Sequence, residues 1–166
     1  MTYMTVPLSA RHHRDHFSCG NAELDSYLKN QAGQDMKRHS AVVFVHADEK
    51  GNVLGYYTLA NDNIPYEKVP DAVRKKMPKY KALPVTLLGR LAVDKQHQGQ
   101  KLGQKLLIDA LFRSWETATN VLGSIAVVVD PLDAGAAAFY ERYGFILLPD
   151  RKRMFLPMKT VENLFK

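Results

Sequence analysis

The chain has 166 residues, 46% of them apolar and 24% charged, with a single cysteine, Cys19. That length suits one compact domain over 1–166 and buries roughly 70% of the unfolded surface without disulfide or metal staples. One cysteine excludes an internal disulfide framework and a thiolate-rich zinc site, so a reducing, cytoplasmic setting is expected. No apolar run reaches signal-peptide or membrane-spanning length, so no membrane partner is expected. Basic residues outnumber acidic ones, 23 to 17, for a formal charge of +6. Net charge speaks to partners rather than fold, and it points to a polyanion or a phosphorylated cofactor.

Tyr3 to Leu8 reads as a first strand. Asn21 is placed to cap a helix running to about His39, with Leu24, Tyr27, Leu28 and Ala32 on one face. Val42–His46 and Val53–Ala60 read as a hairpin around the turn residues Asp48 to Asn52. Pro65, Pro70 and Pro78 break the following region, leaving a helical turn near Asp71 to Lys76. Pro84 to Val93 has the profile of an interior strand, and a helix with Leu102, Leu106, Leu107, Ala110 and Leu111 in one stripe follows it. Ser124–Val129 reads as a buried strand. Asp133 suits a cap for a helix from Ala134 to about Tyr143, with Gly144 at its end. Phe145–Leu148 and Arg153–Met158 read as closing strands. A hairpin followed by alternating strands and helices gives an α/β or α+β class with a mixed sheet.

The segment Leu87 to Leu107 runs strand, turn, helix, with Gly99 in the turn and Gly103 at the helix start. Glycine lets backbone N–H groups approach a ligand closely, and the helix N-terminus favours an anion; a pyrophosphate is the natural occupant. The spacing matches neither GxGxxG nor GxxxxGK[ST], which argues against a dinucleotide fold or a P-loop.

Gln98-Gly99-Gln100-Lys101-Leu102-Gly103 resembles the coenzyme A loop of the GNAT superfamily of N-acetyltransferases, [Gln/Arg]-x-x-Gly-x-[Gly/Ala] after a strand. Lys101 stands where that family has its central glycine. If the position needs positive φ or very close phosphate approach, Lys101 weakens cofactor binding; otherwise its ammonium adds a phosphate contact. Asp133 to Phe145 resembles the family's late helix, with Ala136, Tyr140, Gly144 and Phe145 matching, Asp133 replacing Asn and Phe139 replacing Leu. Phe17–Asn21, Leu24–Leu28, Gly55–Leu59, Leu83–Val85 and Leu88–Val93 are similar to the acetyltransferase toxins of bacterial toxin–antitoxin pairs.

The resemblance implies a sheet of six to seven strands splayed between the fourth and fifth, with acetyl-CoA in the splay and no metal. Leu91, Ala92 and Val93 would pair with the pantetheine. Gln98, Gly99, Gln100, Lys101, Leu102, Gly103 and Gln104 would wrap the pyrophosphate, with Asp133 and Phe139 also near the cofactor. Tyr140 would serve as general acid for the departing thiolate; by periodicity alone it reads as a packing tyrosine. The implied acceptor is the free α-amine of aminoacyl-tRNA, and the implied partners are a ribbon–helix–helix antitoxin and a second copy of the chain. A small-molecule or protein amine is the same-fold alternative.

Between Lys68 and Lys81, Lys68, Arg74, Lys75, Lys76, Lys79 and Lys81 are set against Asp71 and no other acid. Alone, such a run reads as a solvated face. With the resemblance, Lys75, Lys76, Lys79, Lys81 and Arg90 become candidates for tRNA phosphates, with Lys29, Lys37, Arg38, Arg151, Lys152 and Arg153 behind them. No carboxylate lies between Ala82 and Val93. An ε-amine of pKa about 10.4 needs a base, whereas an α-amine near 7.7–8.0 is already partly neutral, so the missing carboxylate favours an α-amine acceptor. Cys19 reads as a buried structural residue. His12, His13 and His16 read as a solvated segment, and none of the six histidines has metal-ligand spacing.

Overall fold

The computed structural model describes residues 2–166. Seven strands form one mixed sheet in the order β1-β2-β3-β4-β5-β7-β6. They are β1 (Val6–Pro7), β2 (Val42–Ala47), β3 (Val53–Pro65), β4 (Ala82–Val93), β5 (Ala126–Val129), β6 (Ile146–Leu147) and β7 (Met154–Pro157). The helices are α1 (Ala22–Ser26), α2 (Ala32–Lys37), α3 (Asp71–Arg74), α4 (Leu102–Asn120), α5 (Ala134–Glu141) and α6 (Met158–Asn163). The chain forms two compact units, one up to Ala60 together with Gly89–Ala110, the other Asn61–Leu88 with Leu111–Lys166.

In the first unit, β1 and β3 both pair antiparallel with β2, in register Val6↔Val45 and Phe44↔Tyr57. Asn21 caps α1, its side-chain oxygen accepting from the N–H groups of Glu23 and Leu24. The single helix expected from Asn21 to His39 is instead α1 and α2 joined by one wide π-helical turn, Tyr27–Gln31. His39 then takes φ 58°, the left-handed conformation that commonly ends a helix. Leu8, Phe17, Tyr27, Leu28, Val43, Val45, Tyr56 and Ala92 form this unit's core. The first strand is shorter than Tyr3 to Leu8; ahead of it the Met4 N–H donates to Asp109 at 2.8 Å and the Thr5 hydroxyl at 2.6 Å. His12 is buried rather than solvated, its Nδ1 accepting the Ser9 N–H at 3.0 Å.

In the second unit, β5 lies parallel to β4, in register Thr86↔Val127, Leu87↔Val128 and Leu88↔Val129. β7 pairs antiparallel with both β5 and β6. Ile64, Leu83, Val85, Ala126, Val128, Leu148 and Phe155 make the core here. Two expectations need correction. β3 continues past Ala60 to Pro65. Met158 opens α6 rather than ending a strand, its helix starting directly after Pro157, whose fixed φ of −57° leads into the first turn. Trp115 packs against Phe112 and Phe165, and its indole N–H donates to Glu162 at 3.2 Å.

Candidate active site

β4 carries the first set of expected site residues. Its pairing with β5 ends at Leu88, so Leu91, Ala92 and Val93 lie beyond the β5 register. Ala92 is buried in the first unit's core, while Leu91 and Val93 are half-buried. After Val93 the chain turns through a 3-10 segment, Lys95–His97, capped by Asp94, whose Oδ1 accepts the Gln96 N–H and whose Oδ2 accepts the Ser18 N–H.

Gln98, at the start of the loop, is held by its side chain. Its side-chain amide donates to the carbonyls of Cys19 and Val93, both at 2.9 Å. It therefore ties the loop to its own unit. Cys19 is partly rather than fully buried; desolvation and Asp25 push its thiol up to about 11, so it stays protonated and is a poor nucleophile.

From Gly99 to Gln104 the backbone N–H groups meet no acceptor among the described residues, and the Lys105 N–H is the first to find one, at Lys101 O, 3.1 Å. These amides and the positive end of a 19-residue helix coincide. Gly99 adopts φ +82° with open space where a Cβ would stand. Lys101 adopts φ 62°. The position does take the left-handed backbone for which glycine is the unstrained choice, and a lysine occupies it.

Tyr140 sits in the second unit on α5, capped by Asp133, whose Oδ1 accepts the Ala136 N–H at 2.8 Å. Its ring meets Phe139 and Phe145 edge-on, at 5.3 Å each. It is 8% exposed, its hydroxyl bonds to no group among the described residues, and desolvation pushes its pKa above the usual 10. α5 is shorter than expected, ending at Glu141, and Gly144 turns the chain at φ +95°. Asp133, Ala134 and Ala137 also line a cleft of about 780 Å³ with Lys68, Arg151 and Lys152.

The basic candidates separate. Lys75, Lys76, Lys79 and Lys81 are exposed in the second unit, around and after α3. Arg153, by contrast, is engaged: its Nε and Nη2 grip Asp130 at 2.8 and 2.9 Å, and Nη1 reaches Asp62 at 3.0 Å. Arg90 lies in the first unit, its guanidinium carbon 3.6 Å from the centre of the Tyr27 ring. In the sequence Tyr27 is one more residue on the helix's apolar face, and its contact with Arg90, 63 residues away, is non-local.

A mixed sheet whose fourth strand leads into a glycine-bearing loop and the unpaired amides of a long helix defines a protein that binds a phosphorylated ligand at that helix's N-terminus. Residues 39–147 match the GNAT acetyltransferase domain, and the chain belongs to that family. It is 37% identical over 149 residues to a tRNA-acetylating toxin of Mycobacterium tuberculosis, covering 89% of this chain and 87% of the relative. Among solved structures it is similar to AtaT complexed with acetyl-methionyl-tRNAfMet, with TM-score 0.89 and 29% identity over 99% of this chain and 100% of that one. A tyrosine-to-phenylalanine variant of the AtaT toxin, bound to the C-terminus of the antitoxin AtaR and acetyl-CoA, has TM-score 0.82 and 27% identity, covering 98% and 97%.

Proposed function

We propose that the protein is a toxin that transfers acetyl from acetyl-CoA to the free α-amine of aminoacyl-tRNA and so blocks translation. The observation that carries this is the identity of 37% across 89% of the chain to a tRNA-acetylating toxin. Both compact units belong to one catalytic domain on this reading, since the family match at 39–147 runs through both.

The chain's residues fit acetyl-CoA. Leu91–Val93 offer backbone beyond the β5 register for the pantetheine. The unpaired amides from Gly99 to Gln104 suit a pyrophosphate, and Asp133 and Phe139 flank Tyr140 on and before α5. The thioester supplies an activated acetyl group. As the amine nitrogen bonded to the acetyl carbon and the carbon–sulfur bond broke, the Tyr140 hydroxyl would give its proton to the leaving sulfur. The proton lost by the new amide restores the phenol through solvent. An unbonded hydroxyl among aromatic rings is protonated at neutral pH and free to donate. No covalent enzyme intermediate is needed, so Cys19 has no part in it.

Lys75, Lys76, Lys79 and Lys81 serve tRNA phosphates. The partners are a ribbon–helix–helix antitoxin and a second copy of the chain, and the setting is cytoplasmic. No helix among the described residues is long and apolar enough to cross a membrane.

Radiolabelled acetyl-CoA offered to bulk charged tRNA, with deacylated tRNA as control, tests the reading. Label should enter the charged pool alone, and Tyr140→Phe should lower turnover by about 10²–10⁴-fold with acetyl-CoA binding kept. Binding of acetyl-CoA without label on charged tRNA would overturn the acceptor, and lost binding in the variant would make Tyr140 structural.

A further inference from the structure

The wide turn Tyr27–Gln31 is where the first unit departs from regular geometry. In an unbroken α-helix, residues eight apart stand about 80° out of line, since each adds about 100°. One wide turn takes up that difference and aligns Tyr27 with Asp35. The Tyr27 hydroxyl donates to Asp35 Oδ2 at 2.6 Å, and that bond, above all, holds the Asp35 carboxyl below the usual carboxylate range. The Tyr27 ring is itself stacked on Tyr56, 6.2 Å away and 14° from parallel, and Tyr56 meets Phe17 edge-on. Tyr27 is thus a fixed platform, fastened at its hydroxyl and from below. π-helical turns recur at functional sites because they set one side chain apart from the helical repeat.

Arg90 lies over this platform and its charge is felt by Asp35, yet its N–H groups form no hydrogen bond and no ion pair within 4 Å among the described residues. It is half-buried. A guanidinium needs acceptors for its planar fork of donors, and stacking satisfies its face but none of its edge. A rigid fork with an open edge is a receptor for a phosphate, which accepts two parallel bonds from it.

Two phosphate sources are in reach of the reaction, the cofactor and the tRNA. The amides from Gly99 to Gln104 already provide for the cofactor's pyrophosphate. Arg90 is one residue, about 3.4 Å of strand, before the Leu91–Val93 segment. Among tRNA phosphates, the one on the 5′ side of the terminal adenosine is covalently nearest to the reacting amine. We infer that Arg90, held over the Tyr27 ring, binds this phosphodiester and so positions the aminoacyl end of the tRNA. The inference rests on the aminoacyl-tRNA reading. It makes Arg90 a positioning residue distinct from the exposed lysines of the 75–81 run.

The test compares three acceptors carrying the amino acid that bulk acetylation identifies: charged tRNA, the aminoacyl-CCA trinucleotide, and aminoacyl-adenosine with no phosphate. Arg90→Gln should lower kcat/KM about 10- to 100-fold on the first two, mainly through KM, the range expected for losing charge-assisted bonds. On aminoacyl-adenosine the change should stay under about twofold. Arg90→Lys keeps the charge and the packed stem but not the fork, and should show the same acceptor dependence at smaller size. Acetyl-CoA affinity should be unchanged in both.

Equal loss on all three acceptors, or no loss on any, overturns the inference. Weakened acetyl-CoA binding overturns it too, by assigning the fork to a cofactor phosphate. If the unmodified protein labels none of the three, the aminoacyl-tRNA reading itself fails and takes this one with it.

Discussion

The hydroxyl of Tyr57 donates to the carboxylate of Asp109 at 2.7 Å, joining β3 to α4 in the core of the first unit. Asp109 is 2% exposed and also accepts from the Met4 N–H and the Thr5 hydroxyl. Removing it takes one acceptor from three donors at once. Asp109→Ala should therefore cost about 3 kcal/mol or more in urea denaturation, and Tyr57→Phe about 1–2 kcal/mol. A cost below 1 kcal/mol for Asp109→Ala would mean the network adds nothing beyond ordinary packing.

Lys101 holds φ 62° between Gly99 of the loop and Gly103 in the first turn of α4. A Cβ in that region costs roughly 1–2 kcal/mol, which glycine avoids at some expense in chain entropy. Lys101→Gly should raise stability by about 1 kcal/mol, while Lys101→Ala, which keeps the Cβ, should raise nothing. Calorimetry then isolates the charge. Both variants should bind acetyl-CoA a few-fold more weakly, since the ammonium is lost from each while the helix amides remain.

The hairpin, the β4–loop–α4 run and α5 were legible because each rests on local signals: alternating β-branched residues, turn chemistry, a capping aspartate, an apolar stripe. The loop's backbone conformation at Lys101 stayed open in the sequence, because lysine does not itself favour the left-handed region that the structure shows there. What stayed hidden is non-local. Asp109 reads as a polar break in the α4 stripe until Tyr57 and Thr5 arrive from 52 and 104 residues away. Arg90 looks like one more basic residue beside the lysines, and only its stacking on Tyr27 separates it from them. His12 gave no hint of burial, because its partner is a backbone N–H.

The exposed lysines and Arg153 should part in a salt titration. Phosphate contacts release counterions, so each one lost flattens the dependence of log affinity on log salt by about 0.7–0.9. Replacing Lys75, Lys76, Lys79 and Lys81 with Gln should lower that slope for tRNA and leave the melting temperature almost unchanged. Arg153→Ala should do the reverse, because its guanidinium is committed to Asp130 and Asp62. A tRNA slope unaffected by the four lysines would return that run to a solvated face.

The pH dependence separates acceptor from acid. An α-amine acceptor must lose a proton to attack, so kcat/KM should climb to about pH 8. Burial holds the Tyr140 phenol above its ordinary pKa of 10. The rate should then stay level to pH 10 instead of falling with loss of the acid. The same shift has a stability signature of fixed sign. Above about pH 10 the unfolded chain's tyrosines give up protons that folded Tyr140 keeps, so its contribution is full below 10 and declines as pH rises. Urea denaturation between pH 8 and 11 should show the parent losing stability more steeply than Tyr140→Phe. Parallel curves would mean that the phenol ionises as readily in the folded protein as in the unfolded chain, and so is not desolvated among Phe139 and Phe145.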